Sequence, residues 1–221
     1  MSPGSDSPRV LRNRIPSYSM IEIEKKFHLK PGDEERLLDG ATFVKDVKNT
    51  DTYWDTGDYR LSTTDHWLRQ RNGAWELKVP LHEIGHHKHV VEQYHELETE
   101  AEIREKLGVQ GAGSLEEDLR AAGFAPFATI ITSRRKYTKE GFNIDLDLAD
   151  YGYGLCEIEY MIPDDGDKEA AARAVVAFAE RAGLTYSNTI LGKLLEYIRR
   201  FRPDHFKAIQ DAGVVWQTNE T

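Results

Sequence analysis

Cysteine is almost absent: Cys156 stands alone in 221 residues. With no partner it forms no internal disulfide and founds no cysteine-based zinc site, so a reducing compartment, the cytoplasm, is the expected location. No stretch approaches the ~18 consecutive apolar residues that a membrane-spanning helix needs, and a soluble protein is expected. Positive charge is in the minority. The 29 Lys and Arg against 38 Asp and Glu leave a net charge of -9, which opposes the long-range attraction behind non-specific binding to nucleic acid or an anionic membrane. Internal repeats with a period of about 20–50 residues are missing. So is any Pro/Gly-rich linker inside 20–213, and one domain is expected there. Residues 1–19 lack an apolar run of signal-peptide length, and Pro3, Pro8 and Pro16 break any amphipathic presequence helix, so they read as a flexible extension. Residues 214–221 read as a C-terminal tail.

What is present is a hydrophobic fraction of 39%, enough to bury a core and to exclude a disordered chain. Strict alternation of apolar and polar residues begins at Ile21 and recurs near 65–71, 74–79, 89–97, 128–137, 141–148 and 154–162, which predicts strands. Helical signals lie between and after them. A short helix is predicted over 33–38 and another over 101–107, and Ser114 with Glu117 forms a capping box opening a third that ends near Gly123. Asp167 caps an Ala-rich helix that stops at Gly183, and Ser187 is the expected cap of a helix with Ile190, Leu191, Leu194, Leu195 and Ile198 on one face. Pro203 opens a short last helix ending before Gly213. The predicted class is a β-rich α+β domain with mostly antiparallel pairing.

Alternate side chains of a strand point to opposite faces. Ile21, Ile23 and Phe27 therefore share one face, and Glu22, Glu24 and Lys26 the other. The same segregation sets Ile144, Leu146 and Leu148 against Asp145 and Asp147, and Cys156, Ile158 and Tyr160 against Glu157 and Glu159. Arg69 and Arg71 share a face with Trp67, Glu76 with Lys78, and Arg134 with Thr132 and Lys136. A sheet with one face in water explains any one of these strands. Three strands of paired carboxylates repel one another once assembled, unless cations lie between them. Carboxylates are the hard oxygen ligands of Mg²⁺, Mn²⁺ or Ca²⁺, while Arg and Lys supply forks and point charges for phosphate oxygens. The pattern thus describes a polyphosphate-plus-metal site, which a closed barrel with a polar interior would hold.

The residues at these positions resemble a known family. Glu22-Ile23-Glu24-Lys25-Lys26 is similar to the ExExK signature of the CYTH superfamily, the triphosphate tunnel metalloenzymes. Its partners follow in family order: Trp67-Leu68-Arg69-Gln70-Arg71, Glu76-Leu77-Lys78, Arg134 with Tyr137, Asp145-Leu146-Asp147, Glu157-Ile158-Glu159 and Lys193, so that the resemblance spans about 20–207. Within the superfamily, Asp65-His66-Trp67-Leu68-Arg69, Trp75-Glu76-Leu77-Lys78, Asp150-Tyr151-Gly152-Tyr153 and Arg200-Phe201-Arg202-Pro203 are most similar to the animal thiamine triphosphatase branch. The loop with His82, His86, His87 and His89 and the extension before Met20 depart from it.

The resemblance implies an eight-stranded antiparallel barrel forming a tunnel with a polar interior, flanked by helices. Glu22, Glu24, Asp145 or Asp147, Glu157 and Glu159 would hold Mg²⁺, with Mn²⁺ as the alternative, directly or through water. Lys26, Arg69, Arg71, Lys78, Arg134 and Lys193 would grip the phosphates, and Trp67 would stack on a thiazolium ring. A glutamate of the Glu157/Glu159 pair is the expected proton acceptor, and Lys26 is a second candidate if basic neighbours lower its pKa. The implied activity is metal-dependent hydrolysis of thiamine triphosphate by a monomer, with a small molecule as partner and no nucleic acid or membrane. An inorganic tripolyphosphatase or nucleoside triphosphatase of the same fold, and a non-catalytic polyphosphate-binding module, are the alternatives.

Other residues read more plainly. The histidines at 82–89 belong to a solvated hairpin, and Cys156 packs outside the barrel as a small hydrophobe. Tyr94 and Glu96 share a face that would enter the tunnel or form a cross-strand hydrogen bond, and Arg199, Arg200 and Arg202 complement a helix C-terminus.

Overall fold

A computed structural model describes residues 20–81, 92–163, 165–185, 187 and 190–215. The extension at 1–19, the histidine-bearing loop and the tail from 216 onward lie outside the described residues. Eight strands appear in chain order: β1 Met20–Phe27, β2 Thr42–Thr56, β3 Trp67–Arg71, β4 Ala74–Pro80, β5 Glu92–Leu97, β6 Phe124–Lys139, β7 Phe142–Ala149 and β8 Gly154–Pro163. All pairings are antiparallel, and the order β1-β5-β4-β3-β2-β6-β7-β8 closes into a barrel. The predicted α+β class and eight-stranded barrel are what the chain forms. Two tight hairpins help set the register. Asn72-Gly73 joins β3 to β4 and Glu140-Gly141 joins β6 to β7, each with both residues at positive φ, the backbone twist that a two-residue hairpin requires.

Helices α1 Asp33–Leu38, α2 Glu100–Leu107, α3 Leu115–Ala121, α4 Lys168–Arg181, α5 Lys193–Phe201 and α6 Pro203–Asp211 cover the outside. The apolar strand faces point outward to meet them. Ile23, Phe27, Ile144 and Ile158 pack with Val175 and Phe178 of α4, and Leu68 and Leu77 with Ile103 of α2 and Leu119 of α3; Ile130 and Leu155, by contrast, have the parity of Arg134 and Glu157 and pack with Ile198 of α5 and Ile209 of α6 beside the cavity. Each such buried side chain contributes ~1.5–3 kcal/mol, and together they oblige the opposite, charged faces to line the interior.

The structure corrects three local readings. No strand is predicted over β2: its first third, from Thr42 to Asp46, is exposed throughout and so carries no alternation to detect. The strand predicted to begin at 65 begins at Trp67, because Asp65 closes a 3₁₀ turn over Ser62–Thr64 with φ 58°. Ser187 does not cap α5, which starts at Lys193 after Gly192. The chain before it is tied instead through the carbonyl of Leu191, which accepts from Tyr153 Oη at 2.7 Å. The Ser114–Glu117 capping box and the Asp167 cap form as predicted.

Candidate active site

The barrel encloses a cavity of about 440 Å³. Glu22, Glu24 and Lys26 reach it from β1, Trp67, Arg69 and Arg71 from β3, Lys78 from β4, Arg134 from β6, Glu157 and Glu159 from β8, and Lys193 from the first turn of α5. Five strands and one helix, spanning 172 positions of sequence, therefore converge, the charged face of each strand being the one turned inward. Asp145 and Asp147 do not line this cavity; both are buried behind Arg134 and Glu157.

Cross-strand register sets like charges against each other on one wall. Glu24 lies opposite Glu159 and also opposite Glu92, and Asp145 lies opposite Glu157, an arrangement that costs stability unless charge is compensated. Some of it is. Arg134 donates a fork to Asp147, Nε to Oδ1 and Nη2 to Oδ2, both at 2.7 Å, and Nη2 also reaches Glu157 Oε2 at 2.6 Å. Lys193 Nζ donates to Glu157 Oε1 at 2.6 Å and lies 2.5 Å from Asp147 Oδ2. Lys78 Nζ donates to Glu22 Oε2 at 2.5 Å, and Lys26 bonds Glu24 and Glu92. Burial opposes the charge on Glu157, yet Lys193, Arg134 and Lys26 overcome it and hold its carboxyl well below the usual range.

Glu159 is different. Among the described residues it has no hydrogen-bond or ion-pair partner, and burial together with the charges of Glu22, Asp145, Glu24 and Glu157 pushes its carboxyl well up. Asp145 is also raised, by burial first, and its Oδ1 is buried without a hydrogen bond. Carboxylate oxygens of Glu22, Glu24 and Glu159 lie within 4.8 Å of one another, as do those of Asp145, Glu157 and Glu159. An orphaned buried oxygen and an unpaired glutamate shared by two acidic groups offer the kind of oxygen donor set that could hold a divalent cation. The two aspartates differ in what is left over: Asp145 pairs with Arg134 and Lys136 through Oδ2 and leaves Oδ1 to the acidic group, whereas both oxygens of Asp147 are engaged by Arg134 and Lys193.

The condition for Lys26 to act as a base is not met. Burial alone would lower its pKa, but Glu24, Glu92 and Glu157 outweigh burial and raise it, so the side chain stays an ammonium. Several lining residues escaped the sequence reading. Tyr53 of β2 faces the cavity, and Asp51 two residues earlier accepts the Arg71 fork, Nε to Oδ1 at 2.7 Å and Nη2 to Oδ2 at 2.9 Å. Their shared parity would have marked them had β2 been recognised. Glu92 lines the cavity beside Tyr94 and Glu96, in step with their alternation. At the end of α5, Arg199 and Arg200 pair with Glu196 rather than facing substrate.

Comparison with known proteins agrees with this architecture. Residues 20–191 match the CYTH domain family. The chain belongs to that family. The CYTH match begins with β1 and stops two residues short of α5, so Lys193 enters the cavity from outside the matched segment. Thiamine-triphosphatase of Macaca fascicularis is 32% identical over 212 residues, covering 89% of this chain and 92% of that protein. The human thiamine-triphosphatase is 31% identical over 217 residues with the same coverage. Among solved CYTH-like folds, HpAC1 from Hippeastrum, described as having a dominant triphosphatase activity, superposes with a TM-score of 0.51 at 20% identity, over 82% of this chain and 95% of its own. Among the described residues no helix is long and apolar enough to cross a membrane.

Proposed function

We propose that this chain is a metal-dependent hydrolase that converts thiamine triphosphate to thiamine diphosphate and phosphate. The observation that carries the reading is the meeting, in one cavity, of an acidic cluster that includes the unpaired Glu159 and a set of buried cations, with Trp67 on the wall beside Arg69 and Lys78. The named relatives support the choice of substrate. A cation held by Glu22, Glu24, Asp145, Glu157 and Glu159, Mg²⁺ or alternatively Mn²⁺, would supply Lewis acidity toward phosphate oxygens and water. Arg69, Arg71, Lys78, Arg134, Lys193 and Lys26 bind the triphosphate and offset charge spreading onto the transferred and leaving oxygens. Glu157 has both oxygens engaged by Arg134 and Lys193. Glu159 has no such partner among the described residues and, of the pair, is the one free to accept the proton of the attacking water once a cation offsets the surrounding carboxylates. We further infer that residues 20–213 are the working unit and that the protein acts as a cytoplasmic monomer on a small molecule.

Phosphate release from thiamine triphosphate, tripolyphosphate and ATP, each with Mg²⁺, Mn²⁺, Ca²⁺ or chelator, tests the reading. Thiamine triphosphate with Mg²⁺ or Mn²⁺ is the expected best pair, with no turnover in chelator. Preference for tripolyphosphate or ATP would move the chain to the alternative hydrolases; binding without phosphate release would make it a polyphosphate-binding module. Trp67→Ala should lower kcat/KM for thiamine triphosphate by about tenfold or more, and much less for tripolyphosphate, since a quaternary cation over a Trp face gains ~0.5–2 kcal/mol and tripolyphosphate has none. Equal losses on both would place Trp67 in the framework.

A further inference from the structure

One buried carboxylate near the cavity takes no part in gripping phosphate or holding a cation. Asp65 ends the 3₁₀ turn with φ 58°, its backbone N–H on the carbonyl of Ser62 at 3.2 Å, a conformation that Asp, Asn and Gly adopt at least cost. Its side chain turns inward. Oδ1 accepts the indole N–H of Trp67 at 2.8 Å, and the Tyr94 hydroxyl donates to Oδ1 at 3.0 Å and to Oδ2 at 3.1 Å. Trp67 is on β3 and Tyr94 on β5, strands separated by β4 in the barrel, so this carboxylate ties two parts of the wall together.

The strand between them carries the phosphate grip. Lys78 of β4 is the direct cross-strand partner of Trp67, and its ammonium lies 5.5 Å from the centre of the Tyr94 ring. The indole is thus oriented at one end by Asp65 and set beside a phosphate-binding lysine. A neutral acceptor would suffice to satisfy an indole N–H and a phenol O–H. A carboxylate does more: it pushes electron density onto the indole face and places negative charge beside it, both of which favour a permanent cation.

Resting on the proposed thiamine triphosphate reading, we propose that Asp65 is the positioning residue for substrate choice, fixing Trp67 with the help of Tyr94 so that the ring accepts a thiazolium cation. The test is the ratio of kcat/KM for thiamine triphosphate to that for tripolyphosphate. Asp65→Asn keeps a residue suited to positive φ and should lower this ratio about five- to tenfold, chiefly through KM for thiamine triphosphate. Trp67→Phe keeps a ring but removes the N–H, and in that background Asp65→Asn should change the ratio less than about twofold. An unaltered ratio in Asp65→Asn, or an equal loss in the Trp67→Phe background, overturns the assignment. If Asp65→Asn fails to fold, Tyr94→Phe carries the test: it removes one tie without touching the turn and should lower the ratio about twofold, and no change would overturn the proposal. Absence of thiamine triphosphate preference in the unmodified protein would instead overturn the substrate reading itself.

Discussion

The two walls of the tunnel solve the problem of buried charge in opposite ways. On the wall made by β2, β3 and β4, cation and anion alternate across the register: Arg71 forks onto Asp51, and Arg69 sits opposite and paired with Glu76. On the wall made by β1, β7 and β8, carboxylate meets carboxylate, and Glu159 has no counterion among the described residues. The first wall is complete as folded and holds its arginines in place. The second leaves like charges facing each other, and on the proposed reading a cation completes it. On that reading, charge that fails to cancel within the fold marks where a cation is required, and charge that cancels marks where the phosphates are gripped.

The sharpest way to break the contrast is to neutralise the unpaired group. Glu159→Gln should cost about 100-fold or more in kcat/KM while raising the melting temperature in chelator, because a buried repulsion is removed. It should also shrink the stabilisation that added Mg²⁺ confers on the unmodified protein. Phosphate release and melts with and without Mg²⁺ decide it; an active variant that melts lower would make the acidic wall structural.

A smaller effect is expected on the paired wall. Asp51→Asn leaves Arg71 and Arg69 in place without their prop, and kcat/KM should fall about tenfold on every triphosphate alike, a charge-assisted contact being worth ~1.5–3 kcal/mol. Unlike Glu159→Gln it should lower the melting temperature, since a buried arginine loses its partner. Opposite signs of the two melting shifts are the discriminating result; equal signs would erase the difference between the walls.

The smallest effect lies outside the tunnel, where burial favours the neutral form outright. His205 of α6 accepts or donates one bond to Ser62 Oγ at 2.7 Å, stacks on Tyr59 and meets the edge of Phe127. Burial lowers its pKa from 6.5 to about 4, against the pull of Asp55 and with the push of Arg202. The unfolded chain therefore binds the proton first as pH falls. The contribution of neutral His205 is present above the unfolded value of 6.5 and is lost as pH drops toward about 4. Urea midpoints measured across that window should decline less steeply in His205→Gln; an identical slope would remove His205 from the acid response.

Much of the site was legible because strand parity is a local property. Glu22, Glu24 and Lys26, or Glu157 and Glu159, declare a shared face by spacing alone, and the resemblance of these short motifs to a family supplied their order around a barrel. β2 shows the limit. Its exposed first third pairs only with β6, which leaves Thr42 to Asp46 without a buried face, and neither Asp51 nor Tyr53 is marked by the sequence pattern. Lys26 shows another: its basic sequence neighbours suggested a lowered pKa, whereas three carboxylates from β1, β5 and β8 raise it.

The alternating pattern of this chain by itself determined that its strands would divide into an apolar and a charged face, because a two-residue period admits no other division of side chains; that the charged face lines the interior follows from barrel closure and the helices packed on the apolar one. The tertiary structure alone decided which charges cancel. Whether Asp147 is engaged by Arg134 and Lys193 while Glu159 is left bare depends on cross-strand register and on where α5 enters, separations of tens of residues that no local spacing encodes. Asp65 follows the same rule: a turn residue in the sequence, it becomes the tie between Trp67 and Tyr94 because closure of the barrel brings β3 and β5 to either side of β4.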